Sequence, residues 1–324
     1  MYQKTLKLKH APFATTPDPR FFYPNAMYQN ALERLMMAVS LRRGICAVIG
    51  EPGLGKSTLI RTMLGGLRET VHFAWIFNTT MDSTELLKFI CRDFGFTPKS
   101  EHKSEILLEL YTFFIREFEN ERIPLLIIDE AQNLTPSVLE EIRQLSNLET
   151  VNHKLVQIIL SGQPQLEDHL DMAELVQLKQ RITYKITLNR LSFAETGRYI
   201  QHRLGIAGAK DVNVFSEGAV KTIYDATGGI PRLINQACDH ALISAIRKEK
   251  KSVDAIIIHE LLEKKEIISA PEPRKKETLC EVPKKTVERE QITKVTPKSD
   301  LKKVIETNND VFEAIDIADL ISVI

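Results

Sequence analysis

GEPGLGKST (residues 50–58) follows the apolar run ICAVIG (45–50) without a gap and opens into the amphipathic stretch that continues to Leu67. A short buried strand, a glycine-rich turn and a helix in direct succession form a βα unit whose first helical amides have no partner within the helix and can hold an anion. Gly50, Gly53 and Gly55, with Glu51, Pro52 and Leu54 between them, let the backbone approach phosphate oxygens closely. Lys56 brings a positive point charge to the outer phosphates. Ser57 offers a hydroxyl to Mg²⁺, and Thr58 completes the binding segment.

Outward from this unit the pattern alternates. On the N-terminal side, Asn25 caps a helix to about Arg43 whose buried face is Ala31, Leu32, Leu35, Met36 and Val39. The turn-rich, aromatic residues 1–24 before it read as an extended lead-in. On the C-terminal side the strands are HFAWIF (72–77), PLLIIDE (124–130), LVQIILSG (155–162) and YKITL (184–188), with helices expected over 83–94, 103–120 and 136–148. Near-continuous apolar strands separated by helices specify α/β architecture, a parallel sheet covered on both faces.

After Leu191 the strands stop, and four helices over 192–206, 216–227, 231–248 and 253–264 form an all-α module, a lid over the phosphate site. Past Lys265 the composition turns to Lys, Glu, Pro and Thr, too polar to bury a core. The expected organisation is a lead-in and helix packed on the core (1–44), an α/β nucleotide-binding domain (45–190), the helical lid (191–264) and a flexible charged tail (265–324). In the tail's last stretch Val311, Phe312, Ile315, Ala318 and Leu320 or Ile321 fall near helical spacing with acids between them, a docking peptide or a frayed end.

Composition narrows the function. Of 324 residues 43% are hydrophobic, and 43 basic side chains balance 43 acidic ones, so no whole-protein field favours nucleic acid or anionic lipid. Cys46, Cys91, Cys238 and Cys280 show no metal-ligand spacing and read as thiols of a reducing compartment. The N-terminus lacks an apolar signal core, and no window approaches the roughly 18 apolar residues a membrane span requires. The expectation is a cytoplasmic protein that reaches a membrane only through a partner.

The chemistry collects at the carboxyl ends of the strands. LLIIDE delivers Asp129 to the sheet edge, where it can hold Mg²⁺ through water, and Glu130 next to it can orient and deprotonate an attacking water. That pairing with the phosphate loop reads as a nucleotide hydrolase. IILSGQP places a polar group near the terminal phosphate, either Ser161 or Gln163. LKQRI sets Arg181 at a helix end, as a solvated charge or as an arginine finger projecting into a neighbouring subunit's site. Asn78 can hold Glu130 inactive, or simply cap the following helix. In GGIPRLINQA (228–237), Arg232 at the start of a lid helix can aim its guanidinium at the β- and γ-phosphates.

Together PFATTPDPRF, GEPGLGKST, LLIIDEAQNLTPSVLEEIRQLSNLET, ILSGQPQL, LKQRI and GGIPRLINQACDHAL resemble the AAA+ ATPases, and within them the ExeA/GspA family of secretion and pilus-assembly ATPases, over roughly residues 1–263. By this resemblance Lys56 and Ser57 match Walker A, Asp129 and Glu130 match Walker B, Arg232 falls at sensor 2 and Arg181 where the family's finger lies. It further implies ATP with Mg²⁺, a self-assembled ring, commonly a hexamer, and an inner-membrane partner. Two positions depart: Leu6 to Leu8 stand where an FGL-like element is usual, and Tyr28 where a histidine is. The chain resembles the family's short form, without the membrane segment and peptidoglycan-binding module of the long one. A DNA-acting regulator of the transposition-ATPase type is the alternative, with basic clusters at 247–251 and 274–276 as its contacts.

Overall fold

The computed structural model describes residues 2–6, 8–67, 69–77, 81–150 and 153–271. After a short helix α1 (Tyr2–Thr5), Asn25 caps α2 (Ala26–Ser40) by accepting the Tyr28 N–H at 2.9 Å. Strand β1 (Ile45–Ile49) leads through the glycine loop into α3 (Lys56–Gly66), followed by β2 (Val71–Ile76), α4 (Ser83–Asp93), α5 (Lys103–Glu119) and β3 (Ile123–Ile128). Then come α6 (Pro136–Leu145), β4 (Gln157–Gly162), the short α7 (Gln165–Leu170) and α8 (Val176–Arg181), and β5 (Ile182–Thr187).

The strands form one parallel sheet in the order β2-β3-β4-β1-β5. Strand alternation divides the core between its two faces. Ile45, Ala47 and Ile49 of β1, Leu126 and Ile128 of β3, and Ile158 and Leu160 of β4 pack with α4, α5 and α6. Cys46, Val48, Leu125, Ile127 and Ile159 point the other way, toward α2 and α3. Both faces being covered, the strands are apolar throughout. Register pairs Ile49 with Gly162 and Ile128 with Leu160, so β1, β3 and β4 end at a common edge. That edge carries the site.

The lid comprises α9 (Phe193–Ile206), α10 (Glu217–Thr227), α11 (Pro231–Arg247) and α12 (Ala255–Glu263). Its boundaries follow local chemistry: a reciprocal Ser192–Glu195 capping box, Ser216 and Asp254 caps, and Pro231 at the first position of α11.

The lead-in departs from the sequence expectation in containing helical turns, at α1 and at the single 3-10 turn Pro19–Phe21, which Asp18 caps. It packs on the lid as well as on α3 of the core. Phe13, 1% exposed, meets Phe215 edge-on at 6.0 Å, the Lys9 N–H donates to Ala207 O at 2.8 Å, and Arg203 donates to Pro12 O. Its aromatic side chains lack a core of their own, and the gaps between lid helices provide one. Asn25 joins the two regions, donating from Nδ2 to Glu195 at 2.7 Å.

Candidate functional site

Helix α3 starts at Lys56 because the chain turns through left-handed backbone at Gly53 and Gly55, both at φ +87°. A β-carbon at Gly53 would lie 2.8 Å from Arg232 Cβ and 3.0 Å from Ile230 Cγ2, so only glycine permits the loop to approach α11 this closely. The Arg232 N–H donates to Gly53 O at 3.2 Å, and the lid therefore rests directly on the loop. From below, the buried Tyr28 hydroxyl donates to Leu54 O at 2.7 Å. Glu51 is fixed by Arg190, whose Nε donates to it at 2.9 Å. The loop is thus preorganised by α2, by the segment after β5 and by the lid.

Lys56 is 6% exposed, and its Nζ donates to Gly50 O at 2.7 Å and Glu51 O at 3.3 Å. Burial lowers its pKa, an effect opposed by the charges of Glu130 and Asp129. Asp129, also buried, accepts from Ser57 Oγ at 3.1 Å on one carboxylate oxygen and from Ser161 Oγ at 2.7 Å on the other. Serine and carboxylate oxygens at that spacing are hard donors, the kind that hold Mg²⁺ together with substrate phosphates. Among the described residues no cluster of three or more His, Cys, Asp or Glu side chains could hold a metal by itself.

Glu130 follows in left-handed backbone, φ +51°. Its Oε2 accepts from Gln132 Nε2 at 2.7 Å and from Gln163 Nε2 at 3.0 Å. Burial raises its pKa, but the amides of Gln163 and Gln132 and the charge of Lys56 outweigh that, leaving it below the ordinary glutamate value. The two candidates at the end of β4 therefore divide the work: Ser161 holds Asp129, and Gln163 holds Glu130. Gln132 was not among the sequence candidates. Its visible signal was its place two residues past Glu130 in DEAQN.

Of these groups Lys56, Ser57 and Glu130 face a cavity of about 220 Å³ between the loop, the lead-in and the lid. Lys56, Ser57, Thr58, Glu130 and Arg232 line one part, and Phe21, Tyr23, Tyr28, Tyr199, Arg203 and Asn235 another. In the second part Arg203 Nη1 donates to the Tyr199 hydroxyl at 3.0 Å, which donates to Asn235 Oδ1 at 3.0 Å, while the Arg203 guanidinium lies 4.7 Å over the Phe21 ring. Arg203 also escaped the sequence reading. It falls four residues after Tyr199 on the buried face of α9, a buried arginine at helical spacing.

Arg181 is not part of this cavity. It is exposed at the end of α8, where β5 begins, and Ile182 pairs with Ile45 at the start of β1. It therefore stands about one strand length, roughly 17 Å, from the edge that holds the loop. Asn78 lies outside the described residues, as do Cys280 and the terminal stretch from Val311 to Leu320 and Ile321. Cys46, Cys91 and Cys238 are free and buried. No helix among the described residues is long and apolar enough to cross a membrane.

Comparison with known proteins places this geometry. Residues 40–170 match the AAA domain model. The chain is 35% identical over 249 residues to general secretion pathway protein A of Aeromonas hydrophila, an alignment covering 76% of this chain and 45% of that protein. The AAA domain together with this identity supports an ExeA/GspA-type AAA ATPase. It is also 25% identical to the ATP-dependent target DNA activator B of Escherichia phage Mu, over 78% of this chain and 75% of that one. Among solved structures, the ORC2 protein of Aeropyrum pernix superposes with a TM-score of 0.60 at 17% identity, covering 79% of this chain and 71% of that one. That likeness shows the P-loop nucleoside-triphosphatase fold. The matched AAA segment contains the loop, Asp129, Glu130, Ser161 and Gln163, and stops before Arg181 and the lid. Because the chain spans less than half the length of general secretion pathway protein A, what that whole protein does is not carried over with the fold.

Proposed function

We propose that the chain is an ATP-hydrolysing assembly factor for a type II secretion or type IV pilus-like envelope machine, acting as a ring of copies at the cytoplasmic face. The observation that carries the reading is the identity with general secretion pathway protein A along most of this chain, together with a complete hydrolytic edge. The loop amides and Lys56 hold the β- and γ-phosphates, and the aromatic part of the cavity receives the base. Bound Mg²⁺ supplies charge neutralisation on those phosphates, with Ser57 and Asp129 as its protein oxygens. Glu130 aligns a water against the γ-phosphorus and takes its proton as the bond to the bridging oxygen breaks. Arg232, carried on the lid and touching the loop, senses the phosphates, so that binding and release move the lid.

Arg181 fits a role in trans. It stands at the sheet's other end, too far to reach its own phosphate loop, and a ring would set it against a neighbour. Arg181→Ala is expected to lower turnover at least a hundredfold while leaving ATP affinity within threefold, in line with the ~10³–10⁵ such fingers contribute. Mixing Arg181→Ala with Lys56→Ala protein should restore part of the activity in a steady-state phosphate-release assay. No recovery at any mixing ratio removes the trans role.

For the envelope role, Glu130→Gln protein loaded with ATP and Mg²⁺ serves as bait in detergent extracts of inner membranes. Recovery of an identified secretion or pilus component, lost on deleting residues 305–324, supports the reading and makes the tail its anchor. Recovery of DNA or a transposase favours the second reading, to which the likeness with the phage Mu protein points. That reading is weakened by the basic cluster at 247–251, where Lys248 pairs with Glu260 and Lys250 with Asp254 at 2.7 Å, leaving less free charge for phosphate contacts.

A further inference from the structure

Glu130 Oε2 receives two side-chain donors, and the one from Gln132 belongs to a longer connection. The Gln132 carboxamide donates from Nε2 to Glu130 Oε2 at 2.7 Å and accepts at Oε1 from the Gln163 backbone N–H at 3.0 Å. It therefore ties the carboxylate after β3 to the backbone after β4 through one planar group. Gln132 is 8% exposed, so neither hydrogen bond is readily exchanged for water. The neighbouring chain is built around it. A β-carbon at Gly162 would lie 3.1 Å from Gln132 Oε1 and 2.7 Å from Leu166 Cδ2, so a side chain there would displace the carboxamide or the leucine beneath it.

The backbone gives this tie a purpose. Glu130 adopts left-handed φ without being glycine, a strained conformation that persists only where surroundings enforce it. Both amide donors converge on Oε2, which leaves the other carboxylate oxygen as the one to accept a proton. A carboxylate on a left-handed turn with no such tie would sample several rotamers, and general-base catalysis is sensitive to displacements of an ångström.

We propose that Gln132 is a positioning residue for ATP hydrolysis, fixing the Glu130 carboxylate so that its second oxygen meets the attacking water. This rests on the reading of Glu130 as the base. Gln163, which follows β4, contributes the second donor from its own side chain, and Gln132 adds a second link by bridging the carboxylate to the Gln163 backbone N–H. Together they hold the base at a fixed place relative to the strand whose Ser161 holds Asp129.

The test is Gln132→Met, which keeps the length and packing of the side chain and removes both hydrogen bonds. Turnover should fall about tenfold, the equivalent of one lost aligned interaction in the transition state, with the KM for ATP within twofold of the parent. A purely structural role would lower the unfolding midpoint and weaken ATP binding along with turnover, whereas a positioning role lowers kcat at unchanged KM. Turnover unchanged or raised, or a loss of kcat matched by a rise in KM, overturns the proposal. If the methionine variant fails to fold, Gln132→Asn, one methylene too short to span both partners, is read by the same two criteria. Glu130→Gln run in parallel separates the failures. If it loses turnover while the Gln132 variants keep theirs, only the positioning role falls. If Glu130→Gln itself retains turnover, the base assignment falls and this inference with it.

Discussion

Lys56→Ala is expected to abolish detectable ATP binding, with no saturation by titration calorimetry up to millimolar nucleotide. The ammonium is the positive charge deepest in the loop, and its Nζ already bridges the carbonyls of Gly50 and Glu51, the position from which it would turn to the phosphates. Its removal leaves those oxygens without that donor. It also leaves Asp129 and Glu130, whose charges act on Lys56, facing the phosphates with less compensation. Removing one partner of a buried charge interaction costs about 3–5 kcal/mol, a factor of roughly 10² to more than 10³ in affinity. The same loss should appear as stability. Ligand at 100 times Kd adds about 2.7 kcal/mol to the parent's unfolding free energy, and the variant should show no nucleotide-dependent rise in Tm. Without nucleotide the two proteins should melt within a few degrees of one another. A variant that still binds ATP within threefold of the parent would show that the loop amides alone hold the phosphates, and that Lys56 acts only after binding.

How far the sequence carries the structure depends on the range of the interactions involved. The phosphate loop was legible because its causes are local: a strand, glycines in left-handed backbone and a lysine opening a helix lie within a dozen residues. The sheet was legible for a similar reason, since apolar residues on consecutive positions require cover on both faces. Strand limits were less so. β5 begins at Ile182, two residues before the YKITL run, because pairing with Ile45 recruits it. The short helices α7 and α8 are packing elements under β4 and β5, with too few turns to show a period.

The long-range contacts had no sequence signal of their own. The lead-in reads as extended because nothing near it could bury Phe13. Its partner, Phe215, arrives from about 200 residues away. Arg203 likewise gains its role from Tyr199 on its own helix and from Pro12 and Phe21, which reach it only through the packing of the lead-in on the lid. At the catalytic edge, the sequence offered Ser161 and Gln163 as alternatives to one another. The geometry gives each a different carboxylate: Ser161, inside β4, donates to Asp129, whereas Gln163, just past the strand's end, donates to Glu130. Gln132 shows the limit most sharply. Its identity is plain in DEAQN, but its aim depends on the left-handed turn at Glu130, and nothing in a glutamate side chain announces that turn.

Glu130→Gln should separate binding from chemistry. The introduced carboxamide has the same shape, and its oxygen can still accept from Gln132 and Gln163, so the clamp and the fold should survive with Tm within a few degrees. The change falls on the opposite side of the group. Where the carboxylate presents an acceptor to water, the amide presents an N–H donor, which cannot take a proton and turns the water's hydrogen atoms away. Loss of the general base should lower kcat by about 10²–10⁴ in single-turnover phosphate release. ATP affinity should be unchanged or modestly tighter, because one negative charge facing the γ-phosphate is gone. The pH profile supplies a second, independent sign. Hydrolysis by the parent needs Glu130 ionised, and its pKa lies below the ordinary glutamate value, so kcat should hold through mildly acidic pH and fall only below the usual carboxylate range. The residual rate of the variant should show no such limb. If Glu130→Gln turns over within threefold of the parent, or keeps the acid limb, the proton goes elsewhere and the base must be sought among the other carboxylates of this edge, beginning with Asp129.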